Sequence, residues 1–205
     1  MNKKWLAPIL PYLAVWAGLF LFESAWLSLI GFHAAILLTL AVARPNIPVN
    51  ILFRSKYPKL VFASVFLCLT SGVALYILWD VLGIAGDLST QLQSIGLTSS
   101  SWIVFIAYFS LINPFVEEYF WRAYLGNDRR GFYIGDLIYA GYHALILINK
   151  AYLISIIFAL VCITFIGWFW RQTHREDNGL LAPVLGHMAA DFTILVCVMI
   201  NIGAG

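Results

Sequence analysis

Residues 113–125 read Asn-Pro-Phe-Val-Glu-Glu-Tyr-Phe-Trp-Arg-Ala-Tyr-Leu, an apolar helix-forming run that carries a pair of adjacent acids and an arginine. The run continues the hydrophobic stretch that begins near Trp102, so it reads as the end of a membrane span. A charge at the centre of a bilayer helix costs about 2.5–3.5 kcal/mol or more, which makes an ionisable residue there a functional candidate by default. Glu118 and Arg122 stand four apart with the acid first, the favourable order for a helical ion pair. Glu117 points about 100° away on the helical wheel, toward a different neighbour. One acid is thereby neutralised while the other stays available.

The rest of the composition fits this reading. The 205 residues are 62% apolar and 11% charged, and apolar runs of membrane-spanning length recur along the chain. The expected architecture is all-α: a polytopic helical bundle of about seven transmembrane helices, in one integral membrane unit over 1–205. A net charge of +2, without a basic stretch interleaved with aromatics, excludes nucleic acid as a partner class. Cys68, Cys162 and Cys197 lie apart in apolar segments and read as buried small hydrophobes rather than a disulfide framework or metal cluster. Pro8 and Pro11 interrupt the run after the Lys3-Lys4 start, so the first segment reads as a retained span rather than a removed signal.

Spans are expected over 5–22, 25–43, 60–79, 102–125, 132–148, 151–170 and 179–200, with a short interfacial helix near 91–97 and a charged loop over 171–178. With alternating spans, Lys3, Lys4, Arg44, Arg54, Lys56, Lys59, Arg129, Arg130, Arg171 and Arg175 share one side, and Lys150 falls on the other. The positive-inside rule then puts the N-terminus in the cytoplasm. Trp5, Trp26, Trp79, Trp102, Trp168 and Trp170 sit at span ends, where an aromatic belt is expected.

This topology places Glu117 about 12 Å from the cytoplasmic end of its span, His187 about 12 Å deep and His143 roughly 16 Å deep. An acid and a pair of imidazoles from separate helices thus share one level in the cytoplasmic half of the membrane, in a site expected to open toward the cytoplasmic leaflet. Asp191 lies one turn beyond His187, and Tyr139 one turn from His143. A carboxylate beside a neutral imidazole can deprotonate water, and a further imidazole can donate to the oxyanion formed on a peptide carbonyl. The same residue types also suit a proton relay.

Glu117-Glu118-x-x-x-Arg122, Tyr139-x-x-x-His143 and His187-x-x-x-Asp191 resemble, in order, the three motifs of the CPBP (Abi) family over 100–195, about half the chain. That family includes the type II CAAX prenyl endopeptidases and relatives tied to bacteriocin processing and immunity. The resemblance implies a glutamate intramembrane protease that cuts near the C-terminus of a membrane-anchored or lipid-associated substrate. Glu117 would be the general base and His143 its partner in activating water, with His187 and Asp191 stabilising the oxyanion or orienting substrate. Glu118 and Arg122 would be a structural pair that tunes Glu117, and Tyr139 a structural or tuning residue, an interfacial or packing aromatic. Tyr139 stands where the family more often has Phe, and Asp191 where the prenyl endopeptidases have Asn. An ionised Asp cannot donate to an oxyanion.

Other readings of these residues are a non-proteolytic immunity, scaffold or maturation partner of the same family, and a small proton-coupled transporter. No cofactor is expected; zinc on His143, His187 and Glu117 is the alternative, although HExxH is missing. No GxSxG elbow is present, and although Tyr133-Ile134-Gly135-Asp136 superficially resembles the aspartyl intramembrane proteases, its candidate mate Asp80 lies at the opposite face, so a dyad cannot form. His33 reads as a hydrogen-bonded core histidine and His174 as a solvated loop residue. Phe120 and Trp121 read as lipid or helix contacts, and Asn113-Pro114 as the start of a kink.

Overall fold

Short polar punctuation between long apolar runs decides where each helix starts and stops. The structure, a computed structural model, describes residues 3–203; sequence readings of Met1, Asn2 and the Lys3 and Trp5 side chains lie outside the described residues. Helix α1 (Ile9–Trp16) ends in a π turn over Ala17–Leu21, where Phe22 N donates to Ala17 O at 2.9 Å. Glu23 turns the chain at φ 46°, and Ser24 caps α2 (Ala25–Ala43) by accepting from Leu27 N at 3.2 Å. Arg44 closes α2 in the left-handed conformation. Proline at N1, where no backbone N–H is needed, opens α3 (Pro58–Leu78). Then come α4 (Leu88–Ser94), α5 (Ser99–Glu118) with its π continuation Tyr119–Tyr124, α6 (Ile134–Gly141), α7 (His143–Leu147), α8 (Leu153–Asp177) and α9 (Leu181–Asn201). No strand occurs among the described residues.

Five of these helices are long and apolar enough to cross a membrane: Ala25–Ala43, Pro58–Leu78, Ser99–Tyr124, Leu153–Asp177 and Leu181–Asn201. The apolar segments Ile9–Leu21 and Ile134–Leu147 are shorter. With them the bundle has the about seven spans expected from the sequence.

Several expectations need correction. The charged stretch 171–178 is not a loop: α8 runs through Asp177, because Arg171 is buried against Asp136 and Asn178 supplies a left-handed cap. The short helix is Leu88–Ser94 rather than 91–97; Leu88 and Leu92, one turn apart, are its buried face, and Gly96 at φ 87° follows it. Trp102 and Trp170 are not belt residues, each being 1% exposed inside the bundle. Trp170 donates to Ser64 Oγ at 3.0 Å and stacks on His187, while Trp102 meets Phe105 edge-on. Cys162 faces outward from α8 rather than inward. His174 is half-buried in α8 with Nδ1 3.1 Å from Gly179 O. Phe120 and Trp121 are helix contacts, both buried in the core around Tyr139 and Tyr142.

Lipid supplies little hydrophobic drive between helices, so small residues at contact points decide how closely they approach. The broadest contact, α3 with α9, depends on Gly72: a Cβ there would lie 2.5 Å from Thr193 backbone. Further along α9, a Cβ on Gly186 would lie 2.0 Å from Ser64 Oγ. Helix α9 is therefore locked against α3 along its length, with its other faces toward α5 and α8.

Loop contacts sort the two ends of the bundle. At one end Arg171 forms a bidentate pair with Asp136 (Nε to Oδ1 2.9 Å, Nη2 to Oδ2 2.8 Å) and donates to the Gly131 and Arg129 carbonyls. Asp177 accepts from Lys56 N and Tyr57 N at 2.6 and 2.7 Å, and Leu180 N donates to Ile51 O at 2.9 Å. These bonds gather 44–59, 126–133 and 171–180, the stretches rich in Lys and Arg, at that end. At the other end Ala85 N donates to Lys150 O and Ala25 N to Ile95 O, both at 2.9 Å. The charge asymmetry inferred from alternating spans is present in the fold.

Candidate active site

The site grows out of the α5 stripe Trp102, Phe105, Phe109, Asn113, Glu117, in which each residue lies about one turn from the next. All five line one cavity of about 290 Å³, close to the lower bound of roughly 300 Å³ for ligand pockets. Pro114 removes a backbone donor within α5, and the π segment Tyr119–Tyr124 follows it, closed by Leu125 N to Phe120 O at 2.9 Å. A π turn carries an extra residue per hydrogen-bonded loop and is frequent at functional sites. Here it directly follows both acids.

Glu117, 1% exposed, lines the cavity and is held from two sides. Asn113 Nδ2 donates to its Oε1 at 2.8 Å, and Tyr142 OH contacts Oε1 and Oε2 at 2.7 and 2.8 Å. Asn113 is itself oriented by His33, whose Nε2 lies 3.0 Å from Asn113 Oδ1. Because that oxygen only accepts, the ring proton belongs on Nε2, and Nδ1 accepts from Tyr108 OH at 3.2 Å. The chain Tyr108–His33–Asn113–Glu117–Tyr142 thus joins α2, α5 and the α6–α7 junction.

Glu118 serves a separate network. Its Oε2 lies 3.1 Å from Arg122 Nε, a contact outside hydrogen-bond geometry and therefore chiefly ionic, and its Oε1 lies 2.9 Å from His187 Nδ1. The Arg122 guanidinium sits 4.1 Å over the Tyr139 ring, and Trp170 is 5.7 Å away on the same group. Glu118, Arg122 and Tyr139 are all at most 2% exposed. A buried charge needs a partner, and here an acid, a guanidinium, an imidazole and aromatic faces supply each other.

His187 connects the networks. Its Nε2 is 3.5 Å from Asp191 Oδ1, and Asn113 Nδ2 reaches Asp191 Oδ2 at 3.4 Å. His143 lies flat on Tyr142, ring centroids 4.1 Å apart, and its Nδ1 is 3.2 Å from Ala140 O. A carbonyl only accepts, so the proton is on Nδ1 and Nε2 presents a lone pair. His143 makes no hydrogen bond to Glu117; Tyr142 occupies that place.

The structure therefore brings Glu117, Glu118, Arg122, Tyr139, His143, His187 and Asp191 into one connected region. It adds Asn113, Tyr142 and His33, which the motif reading did not assign to the site. Asn113 was legible as the residue one turn before Glu117 on the same face. Tyr142 was not, because the helix breaks between Gly141 and His143 and no wheel carries across the break. Among the described residues no three His, Cys, Asp or Glu side chains converge to hold a metal ion. His187 is turned to Glu118, whereas Glu117 is turned to Asn113 and Tyr142.

The cavity also corrects an expectation. It does not open toward the Lys- and Arg-rich loops. From Glu117 it extends to the opposite end of the bundle, where Ile84, Leu88, Leu92 and Lys150 line it. The pocket on the cationic side, beside Arg122 and Asp136, holds only about 10 Å³.

Residues 99–193 match the family described as type II CAAX prenyl endopeptidase Rce1-like, a segment that begins with α5 and contains Glu117, His143, His187 and Asp191. Searches of curated proteins and of solved structures find no match. The family activity is that of an intramembrane CAAX protease, a peptide hydrolase working in a lipid bilayer on membrane-associated substrates. Through this segment, somewhat under half of the chain, and with its all-helical membrane fold, the protein is similar to the type II CAAX prenyl endopeptidase Rce1-like family.

Proposed function

We propose that this protein is an intramembrane endopeptidase in which Glu117 activates water to cut a peptide bond near the C-terminus of a membrane-associated substrate. The observation that carries this reading is the division of labour between the acids. Glu118 is committed to Arg122 and His187, whereas Glu117 lines the cavity and is oriented by neutral donors.

In this reading water enters between the Glu117 carboxylate and His143 Nε2, which accepts one of its hydrogens and orients it. Glu117 takes the other proton as the water oxygen bonds to the scissile carbonyl carbon. The carbonyl π electrons move to oxygen, and His187 Nε2–H, held loosely by Asp191, turns to the oxyanion. Collapse of the intermediate breaks the C–N bond, and the proton on Glu117 passes to the leaving amine. Asp191 acts as the orienter of His187, a role that fits Asp where the prenyl endopeptidases carry Asn. No step calls on a cofactor. With the cationic loops in the cytoplasm, the N-terminus is cytoplasmic.

The test is cleavage of a library of membrane-anchored C-terminal peptides in detergent, wild type beside Glu117→Ala, His143→Ala and Tyr142→Phe, with and without chelator. Loss of the base is expected to cost about 10²–10⁴-fold in kcat, with chelator having no effect. Tyr142→Phe should retain measurable activity, since it orients the carboxylate without touching substrate. Loss on chelation with recovery on zinc would replace this mechanism with a metal one. A wild type that cuts nothing while a protein partner co-purifies with every variant would replace the enzyme with a scaffold.

A further inference from the structure

The stretch between α2 and α3, residues 44–59, crosses the cationic end of the bundle as a strap with two chemically different faces. Its backbone and inner side chains are spent on the protein. Tyr119 OH donates to Ile47 O at 2.7 Å, Leu180 N to Ile51 O at 2.9 Å and Leu181 N to Arg54 O at 3.1 Å. Asp177 accepts from Lys56 N and Tyr57 N, and Leu52 is buried with Leu180 and Val184. A Cβ on Gly179 would lie 2.1 Å from Arg54 O, so only glycine there lets the strap approach. The outer face carries Arg44, Arg54, Lys56 and Lys59 beside Val49 and Phe53, all exposed. No Asp or Glu occurs between Glu23 and Asp80. Among the described residues no carboxylate stands within ion-pair distance of the strap cations, whereas Arg122, Arg171 and Arg175 each have one. The Lys56 and Lys59 ammonium groups lie 5.0 and 5.8 Å from the Tyr57 ring, which gathers them into one patch. Exposed cations without acids, next to exposed apolar side chains, call for a partner that offers phosphate and hydrocarbon together.

We propose that the 44–59 strap is a binding site for an anionic phospholipid of the leaflet at this end of the bundle. Lys56 and Lys59, gathered on Tyr57, hold the phosphate; Arg44 and Arg54 add to the attracting field, and Val49 and Phe53 lie among the acyl chains. A soluble phosphate would use the cations alone and leave Val49 and Phe53 in water, so the pairing of the two chemistries selects a lipid. A juxtamembrane cation contributes about fivefold in affinity for an anionic membrane surface. Because backbone bonds and Leu52 pin the strap, its side-chain charges hold nothing in the fold together. The strap lies against α5 on both sides of the acids: Phe53 packs on Phe115, ring centroids 5.5 Å apart, and Ile47 O accepts from Tyr119. Lipid binding there needs no chemistry at Glu117, so it stands whether or not the protein cuts a peptide.

The experiment titrates dioleoyl phosphatidylglycerol into the full-length protein in detergent and measures bound lipid by native mass spectrometry. Dioleoyl phosphatidylcholine and glycerol phosphate serve as the neutral-lipid and soluble-phosphate comparators. The wild type is set beside Lys56→Gln/Lys59→Gln and beside Arg129→Gln/Arg130→Gln, which removes the same charge from the 126–133 stretch. The wild type should prefer phosphatidylglycerol to phosphatidylcholine by at least about tenfold, and glycerol phosphate should not displace the lipid. Lys56→Gln/Lys59→Gln should weaken phosphatidylglycerol binding by about 25-fold, and the Arg129/Arg130 variant by less than about threefold. Lys56→Glu/Lys59→Glu should turn the preference toward a dioleoyl trimethylammonium lipid, a reversal that a folding defect cannot produce. Equal losses in the two glutamine variants overturn the proposal, because the lipid would then be answering to net charge. Displacement by glycerol phosphate overturns it by assigning the strap to a soluble anion. So does a glutamate variant that keeps the wild-type order of lipids.

Discussion

Replacing Asn113 by leucine keeps the volume of a side chain that is 1% exposed and removes its polar atoms. The consequences can be counted from the contacts. His33 Nε2–H loses its acceptor at 3.0 Å, Glu117 Oε1 loses a donor at 2.8 Å and keeps Tyr142, and Asp191 Oδ2 loses a long contact at 3.4 Å. An orphaned buried donor costs about 1–3 kcal/mol, and a lost bond whose acceptor keeps another partner about 0.5–1.5 kcal/mol. The single variant should therefore lose roughly 2–4 kcal/mol of unfolding free energy. His33→Leu alone should cost less, about 1–2 kcal/mol, because Asn113 keeps its bond to Glu117. In the double variant the orphaned donor no longer exists, so the combined loss should fall short of the sum by about 1–2 kcal/mol. The assay is SDS titration of the purified protein, followed by loss of helical circular dichroism and repeated for the four members of the cycle. Additivity within about 0.5 kcal/mol would refute the network, since it would mean that His33 and Asn113 do not share an interaction. The same proteins should show a fall in kcat for Asn113→Leu, where the carboxylate itself loses an orienting bond.

Further outcomes follow from the same reasoning. Arg122→Met strands Glu118 with His187 alone and should cost about 3–5 kcal/mol in the same titration, whereas Arg122→Lys keeps charge and loses the flat stack over Tyr139, costing about 0.5–2 kcal/mol. Equal losses in the two would show that the guanidinium plane contributes nothing. Gly186→Ala drives a Cβ into Ser64 Oγ and should destabilise by about 1–3 kcal/mol, partly relieved when combined with Ser64→Gly; no relief would place the strain elsewhere.

How much of this was readable in the chain differs from residue to residue. The bounds of α2 were legible because Glu23-Ser24 and Arg44 are strong local signals at both ends of an uninterrupted apolar run. Glu118–Arg122 and His187–Asp191 were legible because both are i, i+4 pairs on unbroken helix and so survive any packing. The extension of α8 through Asp177 was hidden, since its cause is a pairing between Arg171 and Asp136, far apart in sequence. Tyr142 was hidden by the break beside it, and His33 because its partner Asn113 is on another helix. The direction of the cavity was not a local property at all: it depends on which side of α5 the neighbouring helices leave unfilled.

The short spans have a consequence for the membrane itself. Ile9–Leu21 and Ile134–Leu147 are each roughly 20 Å long at helical rise, against a hydrocarbon thickness of about 30 Å. They touch: Tyr12 OH donates to Ile138 O, and its ring meets Tyr142 edge-on. Both also present outward apolar side chains, among them Leu13, Trp16, Ile134 and Leu137. Two neighbouring spans with the same deficit leave the lipids beside them no long partner to match, a mismatch that thinning of the bilayer along that edge of the bundle would relieve. Such thinning would shorten the path through hydrocarbon from the aqueous phase to the level of Tyr142. The hydrophobic mismatch of α1 and α6–α7 would in this way make the protein a shaper of its own solvent.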